Sequence, residues 1–253
     1  MRHNISGIEF VRIPSGRFAM GSTGCSPLER RNEMPLHEVV VNSFLMSVCP
    51  ITQSDFSRVM LRNPSYFSPT GDGNESVAGM DVGCFPVDSV SWEDAAEFCR
   101  RLSARPDEWG HRHSFRLPTE AEWEYACKGG ADTIFANGDS LTSLDANING
   151  LYPINSEIIG PTLNRPCQVG RYAPNGFGLY DMHGNVWEWC LDVYMPYGSS
   201  LVPNEDARVL RGGAWDCYSR FCRSAYRCLS YKDAHFYDCG FRIVCEINET
   251  PIE

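Results

Sequence analysis

Several features are missing from this 253-residue chain, and each absence excludes a class of protein. No apolar run approaches the roughly 20 residues that cross a bilayer, so we expect no transmembrane segment. Basic residues are in the minority, with 22 Lys and Arg against 32 Asp and Glu, and the net charge is −10. A nucleic-acid partner requires a basic surface that neutralises phosphates, so we expect no nucleic-acid binding.

The 12 cysteines follow no common metal or redox spacing. No Cys-x-x-Cys pair occurs, which excludes the usual zinc and thioredoxin motifs, and the cysteines are too sparse for a short disulfide scaffold. The chain can nevertheless bury a core, since 43% of its residues are hydrophobic. No change in composition resembles a linker, so we predict a single domain over residues 1–253.

Three capping boxes predict three helices, because a hydroxyl and a carboxylate there satisfy the free backbone donors of a first helical turn. These boxes begin at Thr52, Ser91 and Thr119. Short β-branched or alternating runs predict strands at residues 10–13, 38–41, 208–210 and 241–244. Residues 128–180 are rich in Gly, Asn and Pro and predict long ordered loops. The pattern predicts an α+β domain with little regular secondary structure.

Seven strings in order along the chain carry a family resemblance: FAMGS (18–22), EMPLH (33–37), PVDSVSW (86–92), RLPTEAEWEYA (116–126), NGFGLYDMHGNVWEW (175–189), RGGAW (211–215) and GFR (240–242). Together they resemble the formylglycine-generating-enzyme family, a branch of the C-type lectin fold, over about residues 8–246. The resemblance implies a C-type lectin fold of the formylglycine-generating-enzyme type.

Within these strings, most side chains are expected to be structural. Large aromatic residues bury the most area and are expected to fill the core: Trp92, Trp123, Trp187, Trp189 and Trp215. Arg116 is expected to form a structural ion pair with Glu120 or Glu122. His183 is expected to be a loop residue that hydrogen-bonds to backbone.

The resemblance also implies calcium, because similar proteins bind it in the Gly-Asn-x-Trp-Glu loop. Asn185 and Glu188 lie in that loop here, and Asn147 belongs to a second loop of the same kind. Oxygen ligands on irregular loops suit calcium, which accepts about six to eight of them. We expect no required cofactor beyond such a structural calcium ion.

An enzymatic interpretation depends on two cysteines. Formylglycine-generating enzymes use a Cys-x4-Cys pair after a Gly-Gly-Ser segment, bind copper(I) through it and oxidise a substrate cysteine with oxygen. Cys217 and Cys222 match that pair, and soft thiolates select copper(I). However, Ala214 replaces the serine, and residues 216–239 hold four cysteines, so that a pair at this spacing arises easily by chance.

A second interpretation depends on the unusual composition of the same segment. Residues 216–239 contain six aromatic residues, no Glu, Gln, Met or Trp, and one lysine, Lys232. This resembles the variable proteins of diversity-generating retroelements, those of treponemes in particular. Such systems mutate the adenines of AAY codons, which cannot produce the missing residue types or lysine.

The resemblance therefore implies a set of diversified, ligand-binding positions, which we call the variable set. Its members are Asp216, Cys217, Tyr218, Phe221, Tyr226, Cys228, Leu229, Ser230, Tyr231, Ala234, His235, Phe236, Tyr237, Asp238 and Cys239. Arg211, Trp215, Arg223, Phe241 and Arg242 are expected to lie beneath it as support.

We therefore expect a ligand-binding protein without enzymatic activity, whose segment 208–242 is diversified on a rigid scaffold. Aromatic residues give rigid contact area to a ligand, which we expect to be a protein or other surface molecule that differs between variants. The resemblance to surface lipoproteins implies a cell-surface or extracellular location and a lipid anchor on the precursor. The alternatives are a copper-dependent oxidase acting through Cys217 and Cys222, and a C-terminal core segment that is simply aromatic.

Overall fold

A computed structural model describes residues 2–106, 111–199 and 202–246. The helices are α1 (Gln53–Met60), α2 (Trp92–Ser103) and α3 (Glu120–Lys128). The strands are β1 (Arg2–Ile5), β2 (Ile8–Ile13), β3 (Gly16–Met20), β4 (His37–Val41), β5 (Phe44–Ser47), β6 (Phe115–Arg116), β7 (Trp187–Val193), β8 (Ala207–Arg211), β9 (Cys228–Tyr231), β10 (Cys239–Gly240) and β11 (Val244–Cys245). This mixture of few helices and short strands confirms the predicted α+β class. None of the described helices is long and apolar enough to cross a membrane.

All three predicted helices begin at their capping boxes. The hydroxyls of Thr52, Ser91 and Thr119 each accept a hydrogen bond from a backbone N–H three residues later. The carboxylate of that later residue accepts in return from the backbone N–H of the capping residue. Two orphan donors are thereby satisfied at each helix start.

Three sheets organise the strands. The largest has the order β1-β2-β5-β11-β6, so both ends of the described chain meet in one sheet. The second has the order β10-β7-β8-β9, and β10 runs parallel to β7. Three of its four strands come from residues 207–240, so the C-terminal segment forms most of this sheet. Strands β3 and β4 make a two-stranded ribbon.

One predicted strand, residues 241–244, is interrupted. The structure ends β10 at Gly240 and begins β11 at Val244. Between them the buried side chain of Arg242 donates to Glu188 and to the carbonyls of Ser47 and Tyr180. The chain follows these contacts instead of a regular ladder.

The long loops are present as predicted: no helix or named strand lies between the end of α3 and the start of β7. These loops carry their own buried cluster, which includes Phe135, Leu141 and Ile148. Trp123, Trp187, Trp189 and Trp215 are buried as expected. Trp92 is not: it is half-buried, because its ring lies at the surface under the guanidinium of Arg208, 4.2 Å away.

Candidate functional site

Four buried ion pairs fix the C-terminal segment to the rest of the chain. Each pairs an arginine of residues 211–242 with a glutamate from elsewhere: Arg211 with Glu124, Arg223 with Glu33, Arg227 with Glu120 and Arg242 with Glu188. The bidentate contacts of the last three pairs are 2.6–2.9 Å long. We call these four pairs the arginine framework. Breaking one would leave a buried charge, which costs about 3–5 kcal/mol.

The predicted support residues lie in or beside this framework. Arg211, Arg242 and Phe241 have no exposed surface, while Arg223 is 4% and Trp215 is 8% exposed. Gly213 is required here, because a Cβ atom at this position, where φ is +76°, would lie 2.3 Å from the sulfur of Cys222. The backbone of the segment is therefore held tightly from below.

Most of the variable set lies on the solvent side of this framework. Along β9 and the following turn, Leu229, Tyr231, Phe236 and Tyr237 are 45%, 57%, 45% and 47% exposed. The other exposed or half-buried members are Asp216, Cys217, Tyr218, Phe221, Cys228, Ser230, Ala234, His235 and Asp238. We call these 13 residues the exposed face. Lys232, which the codon argument left out of the variable set, lies among them and pairs with Asp206.

Two members of the variable set are not surface residues, which corrects the sequence-based expectation. Tyr226 is 7% exposed and packs against Trp187 and Phe221, with ring centroids 6.0 and 5.3 Å away. Cys239 is 1% exposed, because β10 pairs beside β7 and directs this side chain into the main core cluster. Neither residue can contact a ligand without rearrangement.

Two tyrosines outside the segment extend the exposed face. Tyr66, in the loop after α1, lies 5.4 Å from the ring of Tyr237, and Tyr152, in the long loops, lies 4.2 Å from the ring of Tyr218. Tyr152 is 53% exposed. No periodicity or motif in the sequence marks either residue, because their positions depend on how distant loops meet.

A group of carboxyl groups lies at one side of the exposed face. Burial raises the pKa of Asp88 to about 7 and the pKa of Asp238 to about 6, and Asp216 raises the latter further. Asp88 Oδ1 accepts from the Tyr66 backbone N–H and the Ser89 hydroxyl. Its Oδ2 is buried with no hydrogen-bond partner among the described residues. Asp88 therefore titrates near neutral pH, whereas an exposed aspartate is ionised there.

The thiols of Cys217 and Cys222 lie at the junction of the exposed face and the loop cluster. Cys222 is fully buried in that cluster, and the half-buried Cys217 packs against it. Burial raises the pKa of both thiols, and Asp216 raises that of Cys217 further. Both are free thiols, as are the other cysteines of the described chain. As thiolates, these soft sulfur donors would suit copper(I), whereas burial favours the neutral thiol in both residues.

The side-chain oxygens of Asn185 and Glu188, which were predicted to bind calcium, accept hydrogen bonds from protein donors. The Glu188 carboxylate already accepts from Arg242 and from the Trp123 indole N–H at 2.6 Å. Asn185 Oδ1 accepts from the Cys167 backbone N–H and the Asn147 amide. Their oxygens are thus used by protein donors. Of the three predicted ligands, Asn147 has a buried Oδ1 with no partner in the described chain. Calcium at either loop stays a prediction.

His183 and Arg116 play the structural roles that were predicted. His183 Nδ1 donates to the Cys222 carbonyl at 2.8 Å and Nε2 accepts from the Ala136 N–H at 2.9 Å. Burial lowers its pKa to about 4, so it stays neutral and holds the two loops together. Arg116 pairs with Glu122 at 2.7 Å; Glu120 instead pairs with Arg227.

The curled sheets, long ordered loops and anchored C-terminal segment define a C-type lectin-like domain of the formylglycine-generating type. Residues 2–247 match the FGE-sulfatase family, described as the sulfatase-modifying factor enzyme 1-like domain, and the chain belongs to that family. The family predicted from the sequence is thereby confirmed.

Individual relatives have different names and activities. The formylglycine-generating enzyme of Streptomyces coelicolor is 30% identical over 92% of this chain and 87% of its own length. A mouse protein named inactive C-alpha-formylglycine-generating enzyme 2 is 31% identical over 81% of this chain and 73% of its own. Among solved structures, Treponema denticola variable protein 1 has a TM-score of 0.75 at 26% identity, covering 98% of this chain and 99% of its own.

These relatives correct one expectation. We predicted from the sequence that the chain is not an enzyme, yet proteins of similar extent and 30% identity are named formylglycine-generating enzymes. The prediction of no activity depended on the aromatic composition of residues 216–239, and this composition carries no information about catalysis. The predicted likeness to a treponemal variable protein is confirmed.

Proposed function

We propose that the exposed face of this chain binds a protein or other surface molecule, and that a retroelement diversifies the residues of this face. The protein would act at the cell surface, where such ligands are met. The proposal concerns binding at this face and makes no statement about catalysis elsewhere in the chain.

The observation that carries the proposal is the division of the C-terminal segment into two layers. Thirteen of the 15 members of the variable set reach solvent. Arg223 and Arg227 between them are buried, and so are the flanking residues Arg211, Trp215, Phe241 and Arg242. A segment of ordinary core would bury Tyr231, Phe236 and Tyr237. Exposed aromatic residues instead give a ligand large contact area at low entropic cost.

Sequencing the DNA around the gene tests the retroelement. The proposal expects a near-copy of the segment that encodes residues 208–242, with AAY codons at the positions of the exposed face, beside a reverse-transcriptase gene. Codons for Arg211, Arg223 and Arg242 should be the same in both copies. If no such copy exists, diversification is excluded for this gene.

A second candidate function is formylglycine generation at Cys217 and Cys222. It is favoured by the position of both cysteines at the same buried cluster and by relatives that are named for this activity. Copper(I), when bound by such a pair, would supply oxygen activation. The residues of this chain would hold the metal, and the half-buried Cys217 would face the incoming peptide.

A direct assay tests this second candidate. The purified protein is loaded with copper(I) and incubated with oxygen and a Cys-x-Pro-x-Arg peptide, and aldehyde is measured. The candidate expects aldehyde that disappears in Cys222→Ser but persists in Cys228→Ser, a matched control from the same segment. Equal aldehyde from the wild type and Cys222→Ser would exclude chemistry at this pair.

A further inference from the structure

Two exposed arginines stack on one aromatic ring of the exposed face. The guanidinium carbons of Arg30 and Arg220 lie 5.4 and 4.9 Å from the ring centroid of Phe221. Arg30 also lies 5.1 Å from the ring of Tyr226, and Arg220 lies 5.9 Å from that of Tyr218. Two distant parts of the chain therefore bring positive charge to one place.

Neither of these guanidinium groups has an acidic partner among the described residues. Within the part of the chain that the structure describes, Arg30 and Arg220 form no ion pair and no side-chain hydrogen bond. Their neighbour Arg223 differs, because its guanidinium is matched by Glu33. Two unmatched positive charges thus lie together on a chain whose net charge is −10.

An arginine that lies over an aromatic ring can still bind an anion. A guanidinium stacks through its flat face, so its N–H donors remain free in its plane. The ring contact also restricts the side chain before a ligand arrives, which lowers the entropic cost of binding. Planar donors of this kind match the oxygens of carboxylate, sulfate and phosphate groups.

We propose that Arg30, Arg220 and the ring of Phe221 form an anion-binding site at one end of the exposed face. The ligand of this variant would place an acidic group there, either a carboxylate or a sulfate or phosphate ester. The statement that the natural ligand carries this acidic group rests on the proposed function. The existence of the anion site does not.

Fluorescence anisotropy with three labelled peptides tests the site at low salt. The probes are a hexaglutamate peptide, a sulfotyrosine peptide and a phosphotyrosine peptide, which separate the three sources of negative charge. We expect the wild type to bind at least one probe. The double variant Arg30→Ala/Arg220→Ala should weaken that binding at least tenfold, because both guanidinium groups are lost. The fold should be unchanged, because both side chains are exposed.

A control variant separates the site from general electrostatics. Arg12→Ala/Arg17→Ala removes two exposed arginines from β2 and β3 and changes the net charge equally; it should change the affinity by less than twofold. No binding of any probe to the wild type, or an equal loss in both double variants, would overturn the anion site. Neither result bears on the proposed function, which is tested by the flanking DNA.

Discussion

The C-terminal segment contains two layers that differ in what holds them. The lower layer is the arginine framework, in which each charge is buried against a glutamate from a distant part of the chain. The upper layer is the exposed face, whose side chains are exposed or half-buried and have no part in the buried ion pairs. The comparison teaches that a segment of about 30 residues can separate its buried structural residues from its exposed ones position by position.

The physical reason lies in desolvation. A buried guanidinium and carboxylate have each lost their hydration, so the loss of one partner leaves the other uncompensated. An exposed side chain has lost little, and its replacement usually changes stability by within about 0.5 kcal/mol. Sequence change is therefore costly in the lower layer and cheap in the upper one.

The largest expected effect comes from Arg242→Ala. This change leaves the buried Glu188 carboxylate without its bidentate partner and frees the carbonyls of Ser47 and Tyr180. We expect a loss of about 3–5 kcal/mol in the free energy of unfolding, measured in urea. The control is Arg116→Ala, whose partly exposed pair with Glu122 should cost about 1 kcal/mol or less. Equal losses of stability in the two variants would mean that a buried ion pair of the framework stabilises the fold no more than a partly exposed pair.

Two tyrosines of the variable set sharpen the comparison within the segment. Tyr226→Ala should cost about 2–4 kcal/mol, because the buried ring packs against Trp187 and Phe221 and leaves a cavity. Tyr231→Ala, at a 57% exposed position on the edge strand β9, should change stability by within about 0.5 kcal/mol. Chemical denaturation of the two variants gives the difference. If Tyr226→Ala is as stable as the wild type, Tyr226 is not a structural residue and belongs with the exposed face.

Asp88 gives a pH-dependent prediction at the boundary between the layers. Burial raises its pKa to about 7 in the folded state, against roughly 3.9 when unfolded. The folded protein thus holds this proton more tightly, and the resulting stability is lost as the pH rises through 7. Asp88→Asn keeps an acceptor for the Tyr66 N–H and the Ser89 hydroxyl and cannot ionise.

The advantage of Asp88→Asn over the wild type should accordingly grow between pH 5 and pH 8, by on the order of 2 kcal/mol. Thermal melts across this range measure it, and Asp233→Asn, at an exposed position, serves as the control. Asp238, which acts on Asp88 from the neighbouring turn, remains in both proteins. Parallel profiles for Asp88→Asn and the wild type would exclude a buried carboxyl with a raised pKa.

The sequence predicted what depends on local patterns. The capping boxes at Thr52, Ser91 and Thr119 specify helix starts within four residues, so each was found. It could not pair Arg223 with Glu33, since 190 residues separate them and the contact exists only after the sheets have formed. Nor could it separate Tyr226 from Tyr231, which have the same side chain. The two differ only in the fold, where Tyr226 packs against Trp187 of β7 and Tyr231 lies on the edge strand β9.

The sequence predicted the exposure of most of the variable set, but it did not predict which residues of other loops lie beside it. Residue composition records which side chains are tolerated, and the absence of Glu, Gln, Met and Trp from residues 216–239 pointed to the upper layer. Composition carries no information about residues that join the face from other loops. Tyr66, Tyr152 and Arg30 were therefore missed.

The measurement that tests the two layers most directly is urea unfolding of two variants side by side. Replacing Tyr218, Tyr231 and Tyr237 together with Ala removes three rings from the exposed face and should cost about 2 kcal/mol or less, with their ring contacts included. Trp187→Ala, in the core beneath, should cost about 3–5 kcal/mol. If the triple variant loses as much stability as Trp187→Ala, those tyrosines belong to the core, and a binding face carried by an independent framework is excluded.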